Sequence, residues 1–189
     1  MVSSKKSIDM CSGPLFSKIW KFAFPFMLSG LLQRLYHAAD VIVVGRYAGQ
    51  DALAGVGTTG SLITLILNLF LGLSAGVTVV LGRAIGAKKE TDISQIVHTS
   101  MLMSIICGAA VSVIGIIFTY PLLVMIGVPE EVMPHAKAYM QISFSGKMFM
   151  LMYNFGAAVL RAKGDTKRPL YIVTVSGLIN VVLNLFFVL

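Results

Sequence analysis

An aspartate lies in the middle of an otherwise apolar segment, LYHAADVIVVG, at residues 35–45. On a helix, Asp40 would share a stripe about 80° wide with other polar side chains, because successive residues are rotated by about 100°. These side chains are Ser29, Gln33, Tyr36 and His37. A carboxylate at membrane depth can bind a cation or exchange a proton, because burial makes its charge costly. Alternatively, Asp40 only pairs with a basic residue such as Lys147 to lock helices together.

Three further polar residues recur at four-residue spacing in the last apolar run, at Ser176, Asn180 and Asn184. On a helix they would share one face, because this spacing drifts by only about 80° from the first to the third. The two amides either hydrogen-bond neighbouring helices, as polar residues in membrane helices often do, or line a cavity together with Asp40. The spacing alone leaves both interpretations open.

Other residues inside the apolar runs complete the candidate site. Lys147 would share a helix face with Ser143 and Asn154. Arg34 would point about 120° away from Asp40, so it cannot be its partner on the same helix. Pro25 removes one backbone hydrogen bond and permits a kink. A helix that carries both a hinge and a buried acid is suited to rearrange when the acid changes charge.

The elements that must position these residues are predicted to be membrane-spanning helices. Of the 189 residues, 57% are hydrophobic and 12% charged, and the mean hydropathy is +0.86. Soluble domains are about 25% charged. The uncharged runs at 52–82, 93–129 and 169–189 can each cross a bilayer core about 30 Å thick. The pattern predicts an all-α integral membrane protein with a leader at 1–16 and five helices, at about 17–44, 53–82, 94–119, 137–160 and 170–189.

The basic residues are distributed unevenly between the predicted turns. Four precede the first helix, three follow the second and four follow the fourth, whereas Arg46 and Lys137 alone lie on the other side. By the positive-inside rule, this asymmetry predicts a multi-pass protein of the plasma (inner) membrane with a cytoplasmic N-terminus. The formal net charge of +7 is therefore interpreted as a topology signal, and we expect the lipid bilayer and no nucleic acid as a partner.

Motifs for enzymatic chemistry are missing from the sequence. GVGTTG at 55–60 matches the glycine pattern of a dinucleotide-binding loop, but no acidic residue follows about 20 positions later. We interpret this segment, and the pair Gly72 and Gly76, as small faces for close helix packing. Neither a zinc-protease nor a serine-hydrolase motif is present. We therefore expect no catalytic residues, no metal site and no enzymatic activity.

Three segments resemble the multidrug and toxic compound extrusion (MATE) family of transporters. They are FAFPFMLSGLLQRLYHAADVIVVGRYAGQDALAGVG, GLSAGVTVVLGRAIGAKK and AAVLRAKGDTKRP, and they occur in that order. The resemblance implies twelve helices in two six-helix lobes with cytoplasmic termini. Residues 17–189 would be the first five helices of the N-terminal lobe. The chain would then be a fragment, whose partner is a C-terminal lobe outside this sequence.

The resemblance also implies a function, namely export of cationic or amphipathic drugs in exchange for H⁺ or Na⁺, with no other cofactor. In the proton-linked branch of the family, the helix-one aspartate matches Asp40, its helix-five neighbours match Asn180 and Asn184, and Tyr36 lies one turn before the acid. Tyr36 and Asn180 would then be hydrogen-bond donors to Asp40. Asn184 stands where that branch can have an acid, which leaves Asp40 as the only carboxylate inside the predicted helices. Arg34 stands where uncharged polar residues are usual.

Two other functions remain open. A lipid-linked oligosaccharide flippase of the same superfamily would bind a pyrophosphate and would need several basic residues in its cavity. Arg34 and Lys147 are the candidates for that role. A non-transporting membrane scaffold would use the buried polar residues only for assembly and would tolerate the substitution Asp40→Asn.

Overall fold

The computed structural model describes residues 15–188, and every regular element in that range is an α-helix. The helices are α1 Leu15–Tyr47, α2 Gln50–Gly86, α3 Glu90–Met125, α4 Met133–Ser145, α5 Lys147–Ala162 and α6 Lys167–Val188. Within this range α2, α3 and α6 are individually long and apolar enough to cross a bilayer. The predicted all-α membrane fold is confirmed. The predicted leader lies outside the described residues except for its last two, which begin α1, and Leu189 also lies outside them.

The fourth predicted helix is two helices. The prediction of one helix at 137–160 was wrong because α4 and α5 are separated by a one-residue turn at Gly146. Gly146 has φ −85° and ψ −8°, which are close to helical values. The apolar residues of the sequence continue across this position, and for that reason the sequence predicted a single helix. Glycine is among the weakest helix formers, which is consistent with an interruption at this position.

The turns are shorter than the sequence indicated. Helix α1 ends with Arg46 in its last turn, and α2 begins with Asp51 in its first. A cation at a helix C-terminus and an anion at an N-terminus both interact favourably with the helix dipole, so these charged residues extend the helices instead of ending them. Only residues 48–49 remain between α1 and α2, and Gly49 takes φ +90°, which glycine adopts without strain.

The core is built along a stripe of small residues on α3. The buried small residues of this stripe are Ser100, Ser104, Gly108, Ser112 and Gly115. Helices α4 and α5 lie along it. A Cβ atom at Gly108 would lie 2.8 Å from the Cα of Met148, and one at Gly115 would collide with the ring of Phe144. Glycine at these positions therefore lets the helix backbones approach closely.

The packing predicted for the glycines of α2 is partly wrong. In the GVGTTG segment, Gly55 does pack closely, since a Cβ atom there would lie 3.0 Å from the backbone nitrogen of Ala136 in α4. At Gly72 and Gly76, however, a Cβ atom would meet no described atom within 4 Å. Helix α2 turns a different face to the bundle, on which Ser74 and Leu81 are buried.

Helices α1 and α6 form a separate pair beside this core. The ring of Tyr36 fills the space that a side chain at Gly177 would need, and Asn184 contacts Asp40 one turn further along α1. Because both contacts advance in the same direction, the two helices run parallel, as the first and fifth of five crossings would. The backbones of α1 and α5 do not approach each other closely, and the space between these two helices forms the candidate site.

Candidate functional site

A cavity of about 570 Å³ opens between α1, α5 and α6, and we name it the Asp40 chamber. Six of the eight residues predicted to form the cavity line it, which are Gln33, Tyr36, His37, Asp40, Lys147 and Asn180. The polar stripe of α1 from Gln33 to Asp40 therefore forms one wall of this cavity, whereas Ser29 of the same stripe lines a second cavity. The cavity lies within the 300–1,000 Å³ range that is typical of small-molecule sites.

Asp40 is held by a residue of α6. The side-chain amide of Asn184 donates a hydrogen bond to Asp40 Oδ1 and so joins α1 to α6. The expectation that Tyr36 and Asn180 would donate to Asp40 is wrong. The Tyr36 hydroxyl instead donates to the carbonyl oxygen of Thr174, over 3.4 Å. The register of the helix pair is the reason, because it places Asn184, one turn beyond Asn180, opposite the carboxylate.

Lys147 lines the same chamber but does not form an ion pair with Asp40. The ion pairs found among the described residues are Lys89–Asp92 and Arg168–Asp165. The interpretation of Asp40 as the partner of Lys147 in a helix lock is therefore wrong in this conformation. Both charges face the chamber instead.

Arg34 and the predicted hinge residue Pro25 do not line the Asp40 chamber. Arg34 is exposed and is absent from the lining of the Asp40 chamber, since it projects from another side of α1. Pro25 is buried inside α1, which continues through it as one helix. The hydroxyl of Ser29 donates to the Pro25 carbonyl oxygen over 2.8 Å, a local bond of the kind that often bends helices. The role of Pro25 as a hinge stays a prediction.

A second cavity of about 410 Å³ lies between α1, α2 and α5, and we name it the Arg161 chamber. Gln33 and Asn154 line both chambers, so the two cavities meet at these residues. The guanidinium carbon of Arg161 lies 4.6 Å from the centroid of the Phe26 ring, in a cation–π contact. Sequence reasoning missed Arg161, because it assigned this residue to the turn after the fourth predicted helix.

The signal that could have found Arg161 is its spacing from the other polar residues of α5. Lys147, Asn154 and Arg161 are seven residues apart, which is close to two helical turns, so the three share one face. Asn154 is buried, and its amide nitrogen donates to the Met150 carbonyl oxygen over 3.0 Å. An amide side chain carries two N–H donors and an acceptor oxygen, so Asn154 can also form a hydrogen bond with a ligand.

The turn between α5 and α6 fixes how these two helices diverge around the Asp40 chamber. Asp165 Oδ1 accepts hydrogen bonds from the backbone nitrogens of Lys167 and Arg168, each over 3.1 Å, and so caps α6. Its other oxygen lies 3.0 Å from Nε of Arg168. The Tyr153 hydroxyl, which faces the chamber, donates to the Pro169 carbonyl oxygen over 3.2 Å and joins α5 to the start of α6.

Within the described part of the chain, the charges that line the two chambers are one carboxylate and two cations, those of Asp40, Lys147 and Arg161. No cluster of three or more His, Cys, Asp or Glu side chains suited to a metal ion occurs within residues 15–188. The arrangement can bind a charged amphipathic molecule, and it can take up or release one cation at the carboxylate. Its aromatic and aliphatic walls supply the apolar contacts.

The chain is similar in sequence to a family of known proteins. The MatE family model matches residues 25–186. The probable multidrug resistance protein YoeA of Bacillus subtilis is 34% identical over 169 residues, which cover 87% of this chain and 36% of that protein. The FAD transporter of Shewanella oneidensis is 27% identical over 175 residues, which cover 93% of this chain and 38% of that protein.

A solved structure shows the same architecture. An outward-facing multidrug resistance MATE family transporter of the MOP superfamily superposes with a TM-score of 0.88 at 25% identity. The match covers 96% of this chain and 40% of that one. The chain thus spans about two fifths of the length of the relatives it matches.

Proposed function

The chain belongs to the MatE family of transporters, and from this premise we propose that it forms the ion-coupling and substrate-binding lobe of an exporter of drug-like amphipathic compounds. The observation that carries the proposal is the Asp40 chamber, in which a carboxylate faces a cavity large enough for a drug-sized molecule. The description of the Bacillus relative as a probable multidrug resistance protein supports this class of cargo. The export function would belong to a multi-pass protein of the plasma membrane with a cytoplasmic N-terminus.

Coupling would arise from the charge of Asp40, with H⁺ or Na⁺ as the coupling ion. The charged carboxylate accepts the Asn184 hydrogen bond and so holds α1 against α6. Hydrogen bonds to charged groups contribute about 1.5–3 kcal/mol, against about 0.5–1.5 kcal/mol for neutral ones. Neutralising Asp40 would therefore weaken the α1–α6 pair by about 1–2 kcal/mol, a bias that shifts a closely balanced two-state equilibrium substantially.

Rearrangement of α1 at Pro25 would then change the shape of the cavity. The polar stripe of α1 forms one wall of the Asp40 chamber, so a bend in α1 displaces several lining residues together. A bound cation would lose its carboxylate partner at the same moment, and it would be released. Exchange of the coupling ion for the drug follows from these two events, because both depend on the same charge.

A second candidate cargo is an organic phosphate. Lys147 and Arg161 line the chambers, and a 27% identical relative is described as an FAD transporter. The same two cations also support the lipid-linked oligosaccharide flippase considered above, although Arg161 takes the place of Arg34 in that argument. A membrane scaffold makes no use of either cation.

The test is export driven by an ion gradient in proteoliposomes that contain the intact gene product, with the fluorescent cation ethidium as cargo. Asp40→Asn should abolish gradient-driven export, because the side chain can no longer change charge. Asp40→Glu should retain partial activity with a displaced pH dependence between about pH 5.5 and about pH 8. Asp51→Asn is the matched control, since Asp51 is an exposed acid in the first turn of α2, and it should export normally.

Normal export by Asp40→Asn with an unchanged pH profile would contradict the proposal. Asp40 would then be structural, as the scaffold interpretation requires, or the coupling group would lie outside these residues. Loss of export in Asp51→Asn as well would show that the assay reports general damage to the protein.

A further inference from the structure

One face of α5 carries a row of polar groups along the two chambers. Lys147 lines the Asp40 chamber, Arg161 lines the Arg161 chamber, and Asn154 lies between them and lines both. At a rise of 1.5 Å per residue, the backbone positions of the two cations are about 21 Å apart along the helix axis. The chambers are therefore joined along α5 by side chains that can all donate hydrogen bonds to an anion.

Arg161 has no acidic partner among the described residues. The nearest acid in the sequence, Asp165, is occupied by Arg168 and by two backbone amides of α6. The Arg161 guanidinium stacks on the ring of Phe26. A guanidinium stacked on an aromatic face keeps its N–H groups directed outward in its own plane, so they remain available to a ligand. Arg161 lies in the last turn of α5 and lines the chamber, so a ligand in this cavity can reach its guanidinium.

We propose that the Arg161 chamber binds the phosphate group of an amphipathic ligand. Arg161 would hold the phosphate through paired hydrogen bonds, which its planar fork of donors favours. Phe22 and Phe26, which also line the chamber, would contact the aromatic or apolar body of the ligand. The cavity of about 410 Å³ lies in the size range of small-molecule sites. Asn154 and Lys147 would continue the donor row into the Asp40 chamber.

Among the described residues that line the Arg161 chamber, Arg161 carries the one charge, which favours an anionic group in this chamber. Asp40 lines the neighbouring chamber, where it can hold a cation. This inference deepens the second candidate above, an organic phosphate, by assigning a binding site to its phosphate group, and it rests on the proposed function only for the claim that the ligand is cargo. Two sources of the phosphate share this chemistry, a soluble organic phosphate and the headgroup of a membrane lipid.

A matched pair of fluorescent ligands tests the site directly. Flavin mononucleotide and riboflavin have the same aromatic ring system, and the phosphate is what distinguishes them. Both would be titrated into the purified intact gene product in the neutral detergent dodecyl maltoside, without an ion gradient. We expect flavin mononucleotide to bind at least about tenfold more tightly, since its phosphate can form charge-assisted hydrogen bonds that riboflavin cannot form.

Variants of α5 assign the preference to one residue. Arg161→Gln should reduce the preference for the phosphate to less than about twofold, and Arg161→Lys should retain part of it, because a point charge remains but the fork is lost. Lys163→Gln is the matched control, since it removes an exposed cation two residues away and should leave the preference unchanged. Elution on size-exclusion chromatography checks that each variant is folded.

Two results would overturn the inference. One is equal binding of the two flavins by the unsubstituted protein, a result that stands even if Arg161→Gln fails to fold. The other is an equal loss of preference in Lys163→Gln and Arg161→Gln, which would indicate diffuse attraction to a basic surface.

Competition by phosphatidylglycerol in mixed micelles distinguishes the two sources. Displacement of flavin mononucleotide by this lipid supports the site with a lipid phosphate as its ligand, and undiminished binding supports it with a soluble one. Because no step in this measurement involves coupling at Asp40, failure of phosphate recognition and failure of ion-coupled export are separate results.

Discussion

Substituting Gly108 by alanine should destabilise the packing of α3 against α5, because the two backbones meet at this residue. A Cβ atom at Gly108 would lie 2.8 Å from the Cα of Met148 and 3.3 Å from its carbonyl oxygen. Carbon atoms pack favourably at about 3.5–4.0 Å, so the helices would have to separate by about 1 Å. The backbone of Met148 cannot move aside as the end of a flexible side chain could.

The size of the effect follows from two opposing contributions. Overpacking a well-packed site costs about 1–3 kcal/mol. Replacing glycine by alanine inside a helix offsets about 0.5–1 kcal/mol of this cost. The net destabilisation is about 1–2 kcal/mol, which for a chain of this size corresponds to a fall of roughly 2–8 °C in the unfolding midpoint. Lys147 precedes Met148, so the same displacement should also disturb the Asp40 chamber.

The assay is thermal unfolding of the purified protein in dodecyl maltoside, followed by size-exclusion chromatography of the fraction that remains folded. Gly72→Ala is the control, since it makes the same substitution inside α2 where a Cβ atom meets no described atom within 4 Å. This control should be unchanged or up to about 1 kcal/mol more stable. Equal midpoints for the two variants would refute the reasoning, because the close approach of α3 and α5 would then impose no cost.

Three further predictions follow from the same structure. In thermal unfolding, Asp165→Ala should destabilise the protein by about 1–2 kcal/mol, because α6 loses its cap. Asp92→Ala is the control. It breaks an exposed ion pair and should change the free energy of unfolding by less than about 0.5 kcal/mol. A cysteine at Gln50 should react with an impermeant maleimide in intact cells and one at Lys163 should not, and the reverse labelling would invert the proposed orientation. Asn184→Leu should reduce coupled export more than Asn180→Leu in the proteoliposome assay, since Asn184 donates to Asp40, the proposed coupling carboxylate.

The wall of the Asp40 chamber could be predicted from sequence because it depends on the geometry of single helices. A residue's angular position on a helix follows from its number alone, so the stripe from Gln33 to Asp40 and the face shared by Asn180 and Asn184 are local properties. The all-α class follows for the same reason, since long apolar runs leave few other structures in a bilayer.

The identity of the donor to Asp40 could not be predicted in this way. It depends on the register between α1 and α6, which places Tyr36 against Gly177 and Asn184 against the carboxylate. A shift of one turn would have placed Asn180 there instead. Register is set by the complementary shapes of two distant segments. The pattern of polar residues within α1 or within α6 does not determine how the two helices align with each other.

The small residues show the same limit of prediction from sequence. Gly72 and Gly76 have the four-residue spacing of a packing motif, yet the close approaches of α3 occur at Gly108 and Gly115, which are seven residues apart. The spacing identifies faces that are able to pack closely, but which of those faces meets a partner is decided by the whole bundle. Arg161 was missed for a related reason, since a basic residue beside a turn is ordinarily a topology signal, and only the placement of α1 and α2 around it makes a chamber.

The proposed coupling group on α1 and the proposed phosphate anchor on α5 line different chambers, and a side chain of α1 links them. Asp40 lies on α1, and Phe26 of the same helix stacks on Arg161 of α5. Phe26 directly follows Pro25, the predicted hinge, so a bend of α1 at that point changes the position of the ring relative to the guanidinium. A cation–π contact contributes about 0.5–2 kcal/mol, similar in size to the change expected at the Asp40–Asn184 hydrogen bond. On the proposed mechanism, neutralising the carboxylate therefore alters ligand binding in both chambers through the movement of one helix.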